Sequence, residues 1–220
     1  RFLRKMGGGV FDIEEGIAGV QFKNGNGSLF TRKYFSSAPD QVIAAQYKAE
    51  GEDKMNLNFT IEPGSDISAG GVTYENGMAY FTGKMTVKYA ARLHVVADEG
   101  AIVESSSKGI SVQNATEVTF YLKGATNFIG DVDSKSYFRA VTPEAVSEEV
   151  KTAIEAAVAK GYEAVEKAHV EDFTAITKRI TIDLGLQTPS ADTKTLDDNY
   201  YITKTNATSQ KLCFGKVDEA

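Results

Sequence analysis

A single cysteine, Cys213, cannot close an internal disulfide, and with only His94 and His169 the chain has no Cys/His cluster of the kind that holds zinc. Neither a metal nor a cofactor is expected. Long apolar runs are missing too: residues 42–45 and 90–97 are the longest, far short of the roughly 18 that a bilayer-crossing helix requires. The expectation is a soluble chain with no membrane partner. Basic residues are outnumbered, Lys+Arg 24 against Asp+Glu 30, giving a formal net charge of -6 and an isoelectric point of about 5.1. Such a surface repels a phosphate backbone and removes nucleic acid from the expected partners. Arg1 to Val10 are basic and then glycine-rich, without the apolar core of a secretory signal, and read as internal to a longer gene product.

Enzyme signatures are equally scarce. There is no Gly-x-Ser-x-Gly elbow, no Walker loop, no His-Glu-x-x-His and no dinucleotide fingerprint. Gly7-Gly8-Gly9 lacks the lysine and the strand-to-helix setting of a phosphate loop and reads as a flexible end.

What is present is globular. Hydrophobic residues at 42% and charged residues at 25% are ordinary values for a folded domain, and 23.8 kDa is enough for one domain with an appendage. From Ile17 to about Thr126 the dominant period is two, the mark of strands. Ile17, Val20 and Phe22 lead into Asn24-Gly25-Asn26-Gly27, a turn that closes a hairpin onto Leu29–Ser36. An apolar strand follows at Val42–Tyr47, and Leu57, Phe59 and Ile61 alternate with Asn56, Asn58 and Thr60 before Pro63-Gly64. Glu75-Asn76-Gly77 reads as a turn into the long run Met85–Ala97, where Val87, Tyr89, Ala91, Leu93 and Val95 face one way and Lys88, Arg92 and His94 the other. Further strands are expected at Ala101–Ser105, Gly109–Gln113 and Glu117–Gly124. The fold class is mainly β, an antiparallel sandwich.

Near Pro143 the period becomes helical, with Thr142 as N-cap, Pro143 at the first helical position and Glu144 in the first turn. Val146, Val150, Ile154 and Val158 recur every four residues up to Gly161, and a second helix, Tyr162–Lys178, presents Val165, Phe173 and Ile176. Ile180, Ile182 and Leu184 alternate as a strand returning to the sheet. The expected organisation is therefore a β domain over 1–140, a helical linker over 141–185 and a polar, partly ordered tail over 186–220, within which Tyr200-Tyr201-Ile202 could form a short strand.

Candidate chemistry is thin. His169 and Asp172 lie three apart on one helix face, a spacing that could orient an imidazole, although packing or capping is the commoner duty of such a pair. His94, with Lys88 and Arg92 beside it and Asp98 and Glu99 at the strand end, reads as part of a solvated face. Glycoside hydrolysis needs two carboxylates at a defined separation. Asp12 with Glu14 and Glu15, and Asp131 with Asp133, read instead as turn or surface groups with no apolar pocket. Tyr34, Tyr47, Tyr74, Tyr80, Tyr89 and Tyr121 lie in expected strands and could stack on sugar rings, against the plainer reading of core packing with hydroxyls at the rim. Sequons at Asn26, Asn58, Asn114 and Asn206 settle no compartment. No residue is assigned a catalytic, cofactor-binding or metal-binding role.

Three stretches carry a resemblance. Thr31-Arg-Lys-Tyr-Phe-Ser-Ser-Ala-Pro-Asp-Gln-Val-Ile43 resembles the T-R-E-x-F-x-S-x-P-D-Q-V-I segment of the N-terminal β-sandwich of glycoside hydrolase family 95, the α-L-fucosidases. Leu93-His-Val-Val-Ala-Asp98 and Val118-Thr-Phe-Tyr-Leu-Lys-Gly-Ala-Thr-Asn-Phe128 are similar to its L-x-V-V-A-D and L-Y-L-x-A-A-T-N-F strands. Lys160-Gly-Tyr, His169-Val-Glu-Asp-Phe173 and Arg179-Ile-Thr-Ile-Asp-Leu-Gly185 resemble the linker that leads to the catalytic barrel. The resemblance runs from about Asp12 to Gly185. It implies a β-supersandwich followed by two linker helices, in a parent that hydrolyses α-fucosides or related sugars with inversion. The family's acid and its water-activating group belong to a helical barrel absent from this chain, so no hydrolysis is expected of the chain alone. The implied partners are that helical catalytic domain, an oligosaccharide, and a second copy through exposed sheet edges. The rival reading is a free-standing carbohydrate-binding or surface-assembly module.

Overall fold

The computed structural model describes residues 3–6, 9–64, 71–130 and 137–179. The expected strand at Ile180–Leu184, the tail 186–220, Asp131, Asp133, Asn206 and Cys213 lie outside them. Twelve strands come first: β1 (Leu3–Met6), β2 (Gly9–Asp12), β3 (Ile17–Lys23), β4 (Leu29–Ser37), β5 (Val42–Glu50), β6 (Met55–Phe59), β7 (Thr73–Glu75), β8 (Met78–Lys84), β9 (Lys88–Ala97), β10 (Ile102–Ser106), β11 (Gly109–Ala115) and β12 (Glu117–Thr126). Two helices follow, α1 (Pro143–Lys160) and α2 (Tyr162–Thr177). The fold is mainly β, with all named strand pairs antiparallel and the helices after the sheets, as the periodicity leads one to expect.

Nine strands form one sheet in the order β1-β2-β3-β4-β5-β12-β9-β8-β7, and three form a second in the order β10-β11-β6. Turn chemistry sets the hairpins. Asn24 Oδ1 accepts the backbone N–H groups of Asn26 and Ser28 at 3.1 and 3.0 Å, while Gly27 takes φ +86°, closing β3 onto β4. Between β7 and β8, Asn76 and Gly77 both hold positive φ, 48° and 72°, the two-residue geometry that matches strand twist. The amino end departs from expectation. Gly9 opens a strand paired with β1 and β3 instead of lying in a flexible end, because the ladder runs on past the apolar part of the sequence.

The second departure concerns what covers the large sheet. Alternation divides β9 as expected, but the Lys88, Arg92 and His94 side is not solvated. α1 lies across it, burying Ala90 at 4% exposure against Val146 and Val150, and Arg92 on the same side is 8% exposed. β5 records both coverings in adjacent residues. Ala44 belongs to the core under the helices with Phe35, Tyr121, Ile154, Tyr162 and Val165, while Ala45, pointing the other way, is equally inaccessible. On that other face Leu93, Val95, Val118 and Ala79 meet Ile110, Val112 and Met55 of the three-stranded sheet. The layers are therefore helices, nine-stranded sheet, three-stranded sheet.

The helices form for legible reasons. Thr142 Oγ1 accepts the Ala145 N–H at 3.2 Å, Pro143 needs no donor partner at the first position, and Val146, Val150, Ile154 and Ala157 make the buried row. In α2 the buried row is Tyr162, Val165 and His169, and Ile176, expected on it, is 62% exposed. Ile154 is fully buried between α1 and the sheet, so Ile154→Ala is expected to cost about 2–5 kcal/mol, read as a lower urea midpoint at unchanged slope. A midpoint equal to that of the parent chain would mean that this row does not hold α1 on the sheet.

Candidate functional site

Polar side chains with buried, specific partners gather where the helices meet the large sheet. After β4 the chain turns through Ser37-Ala38-Pro39-Asp40. The Ser37 hydroxyl donates to Asp40 Oδ2 at 2.9 Å and accepts the Asp40 N–H at 3.2 Å, which leaves Asp40 Oδ1 aimed at the end of α1. There Lys160 Nζ meets it at 2.7 Å. The Asp40 charge also acts on Tyr121 beneath: burial first, then that carboxylate, pushes the Tyr121 hydroxyl up to about 12.

The exit from β12 is held by Asn127, 3% exposed. Its Oδ1 accepts the Lys88 N–H at 2.9 Å and its Nδ2 donates to the Arg139 carbonyl at 3.1 Å, so one amide joins the start of β9 to the segment entering α1. The Lys88 ammonium donates to the Val141 carbonyl beside it. Arg139 reaches forward to Glu149 at 3.0 Å.

α2 is caught by the β2–β3 turn. Asp12 Oδ1 accepts the N–H groups of Glu14 and Glu15, and the turn ends at Gly16 with φ +69°. A Cβ there would stand 2.9 Å from the Phe173 ring. The Gly16 carbonyl meets His169 Nε2 at 3.2 Å, while the imidazole stacks on Phe35 at 4.8 Å. His169 is thus a buried clamp, and Asp172, its expected partner, is exposed. Lys33 closes the same junction on Glu166 at 2.8 Å. Burial, followed by the Glu166 carboxylate, drives the Tyr162 hydroxyl well above its ordinary range.

Arg92 and His94 sit at the edge of this junction. The Arg92 guanidinium lies 4.4 Å from the Tyr80 ring centroid and touches Met78 Sδ at 3.5 Å. His94 Nδ1 is buried without a hydrogen-bond partner in the described residues. Desolvation, helped by Arg92 and opposed by Glu155, holds the His94 imidazole below the usual histidine range.

The opposite face of the large sheet carries an aromatic row. Phe22 and Phe30 stack at 5.3 Å, Arg32 lies 5.6 Å from the Phe22 ring and 5.0 Å from that of Tyr47, and Tyr47 continues through Phe120 to Phe59. The Tyr34 hydroxyl donates to that of Tyr47 at 3.0 Å. Burial and this bond raise the Tyr47 hydroxyl well above its ordinary range. The remaining expected tyrosines are committed to packing: Tyr74 donates to the Ile61 carbonyl, Tyr80 to Glu75, and the Tyr89 ring fills the space where Gly83 has no Cβ.

Among the described residues the carboxylates do not gather into a site. Asp98 accepts the N–H groups of Thr116 and Glu117 and the Thr116 hydroxyl; burial works against its charge, but these donors outweigh it and hold the group below the usual carboxylate range. An open cleft of about 490 Å³ beside the β7–β8 turn has one carboxylate, Glu75, which accepts the Tyr80 hydroxyl at 2.8 Å. No cluster of metal-ligating side chains occurs among the described residues. Asn26 donates to Asp53, and Asn58 and Asn114 are exposed on the smaller sheet. Asp40, Asn127 and Gly16 escaped sequence reasoning as individual residues. Asp40 and Asn127 stand inside the stretches that carried the resemblance, which was the available signal.

A model of the glycosyl hydrolase family 65 N-terminal domain matches residues 10–131, more than half of the chain. Among solved structures, the chain is similar to one named "Putative kojibiose phosphorylase from human microbiome", with 9% identity, a TM-score of 0.43, and coverage of 75% of this chain and 22% of that one. No curated protein matches.

Two outcomes follow from the junction. Asn127→Ala leaves the Lys88 N–H and the Arg139 carbonyl without their partner and is expected to destabilise the fold by about 1–3 kcal/mol in urea titration, whereas an unchanged midpoint would show the amide to be dispensable. His94 has a folded-state pKa below its unfolded value of about 6.5, so the unfolded chain takes the proton first and stability falls as the pH drops from that value through the folded pKa. The His94→Gln chain is expected to lack that decline when denaturation is followed between neutral and mildly acid pH.

Proposed function

Because the chain belongs to the glycosyl hydrolase family 65 N-terminal domain family, we propose that it is the non-catalytic β-scaffold of such a glycoside hydrolase, built to hold a helical catalytic domain. The observation that carries this reading is the junction itself. Asp40, Asn127, His169 and Lys33 each tie a helix, or the segment entering one, to the large sheet. Of the described carboxylates that the sequence singles out, Asp12 and Asp98 cap a turn and a strand end, which suits a support better than an acid/base pair. In this reading residues up to about 140 form the scaffold, and α1 and α2 are the linker that leads away from it.

The narrower expectation, an α-L-fucosidase of family 95, is not what the matching family names. It enters as one arm of a substrate test. The carbohydrate-binding alternative rests on the aromatic row, but the Tyr34 and Tyr47 hydroxyls bond one another and Arg32 lies over two of the rings, so these are poor free platforms for a sugar.

The chain alone is expected to release no nitrophenol from aryl α-fucosides or aryl α-glucosides, with or without inorganic phosphate, and to give no heat on calorimetric titration with fucosylated oligosaccharides. Turnover of either glycoside would overturn the scaffold reading, and saturable heat would replace it with the binding module. A reading frame that continues past Ala220 into a helical barrel would support the scaffold.

A further inference from the structure

The aromatic row described above is only half covered. β10 and β11 lie over β7, β8 and β9, and β6 reaches β12 through the Phe59 and Phe120 rings, 5.5 Å apart. The smaller layer then stops, while the larger sheet runs on through β5, β4 and β3. Paired registers put Tyr47, Arg32, Tyr34, Phe30 and Phe22 on the face that the smaller layer would continue to cover. Phe22 is 41% exposed. Arg32 is the single charged side chain on this face of β3, β4 and β5, and it has no hydrogen bond or ion pair among the described residues. Among the described residues β6 pairs with β11 on one side only, so its outer edge offers backbone donors and acceptors without a strand partner there, beside this face.

We propose that the free edge of β6 takes an antiparallel strand from the remainder of the enzyme, extending the three-stranded sheet over β5 and β4. This rests on the scaffold reading above. The added strand would turn small apolar side chains toward the aromatic row at alternate positions and place a carboxylate against Arg32. The β7 edge differs in kind: it is three residues long and its Thr73 and Glu75 are exposed, which discourages pairing. A second copy fits β6 poorly. A two-fold axis that pairs β6 antiparallel with its copy runs perpendicular to the sheet. Both large sheets would then lie on one side of the joined layer, and their β3–β5 flanks would occupy the same volume.

The test uses the 220-residue chain and two synthetic strands that carry valine and the central charge on one face, Ac-KVTVTETVTVK-NH2 and its central lysine analogue Ac-KVTVTKTVTVK-NH2. Amide exchange followed by NMR is expected to slow about tenfold or more at alternate residues of β6 on adding the glutamate peptide. The parent chain is expected to bind that peptide more tightly than the lysine analogue. Arg32→Glu should reverse the preference, and Arg32→Gln, the milder change, should abolish it. The proposal fails if neither peptide binds, if slowing falls on the β1 or β7 edge, or if the preference ignores residue 32. It fails equally if β6 is protected without peptide in a concentration-dependent dimer. None of these results bears on the absence of turnover, so the scaffold reading and the strand site fall separately.

Discussion

The rest of the structure depends on a sheet that is buried on both faces at its centre. A strand with one wet face can place polar residues freely, but β5, β12 and β9 cannot. At their centres the side chains meet either the helices or the smaller sheet, so small residues stand where the layers approach and most polar residues have a partner, with single atoms of Tyr89, Arg92 and His94 as exceptions among the described residues. Ala44 and Ala45 show the first rule, since two adjacent alanines are both inaccessible. Gln46, 7% exposed, shows the second, donating to Glu117 across β12 at 2.8 Å. Arg92 is the limiting case, a buried guanidinium accommodated by the ring of Tyr80 and a thioether.

From that constraint the helix contacts follow. A helix laid on a twisted sheet touches it along one row and must be fixed at its ends if it is not to rock. Lys160 on Asp40 fixes the end of α1, and Asn127 fixes the strand that leads into it. His169 on the Gly16 carbonyl and Lys33 on Glu166 fix α2. These are small energies individually, and the apolar row through Val146, Val150, Ile154 and Val165 supplies most of the attachment. The polar contacts select one placement of the helices out of several that would bury similar area.

Much of this was legible in the sequence. Period two placed the strands, the Asn-Gly turns placed two hairpins, and Thr142-Pro143-Glu144 placed the start of α1 within a residue. Alternation, however, states which side chains share a face and not what lies against it. Lys88, Arg92 and His94 looked solvated because they are polar, although α1, about fifty residues later in the chain, lies across their side of the sheet. The strand at Gly9 was missed because glycine carries no side-chain pattern, and Ile176 was misplaced because the apolar row of α2 ends at Phe173. The family-level resemblance held at the level of a glycoside hydrolase N-terminal domain, while the sugar did not follow from it. The reason is physical: the matched residues Asp40, Asn127 and His169 touch helices and sheet, and a residue that docks a helix carries no record of a sugar.

Gly161 has a consequence of its own. It ends α1 and begins α2 with φ +81° and no side-chain cap, and a Cβ at that point would touch nothing. A single residue thus separates two rows that must land on different parts of the sheet, Ile154 above β5 and β12, His169 above the β2–β3 turn. One residue added at this joint would advance α2 by about 100° about its axis, because a turn takes 3.6 residues. Tyr162, Val165 and His169 would then swing off the sheet together. The connection between the helices therefore works as a fixed angular offset, with room for a side chain but a backbone conformation, φ +81° and ψ 154°, that only glycine adopts without strain, so it resists a change of residue as well as a change of number.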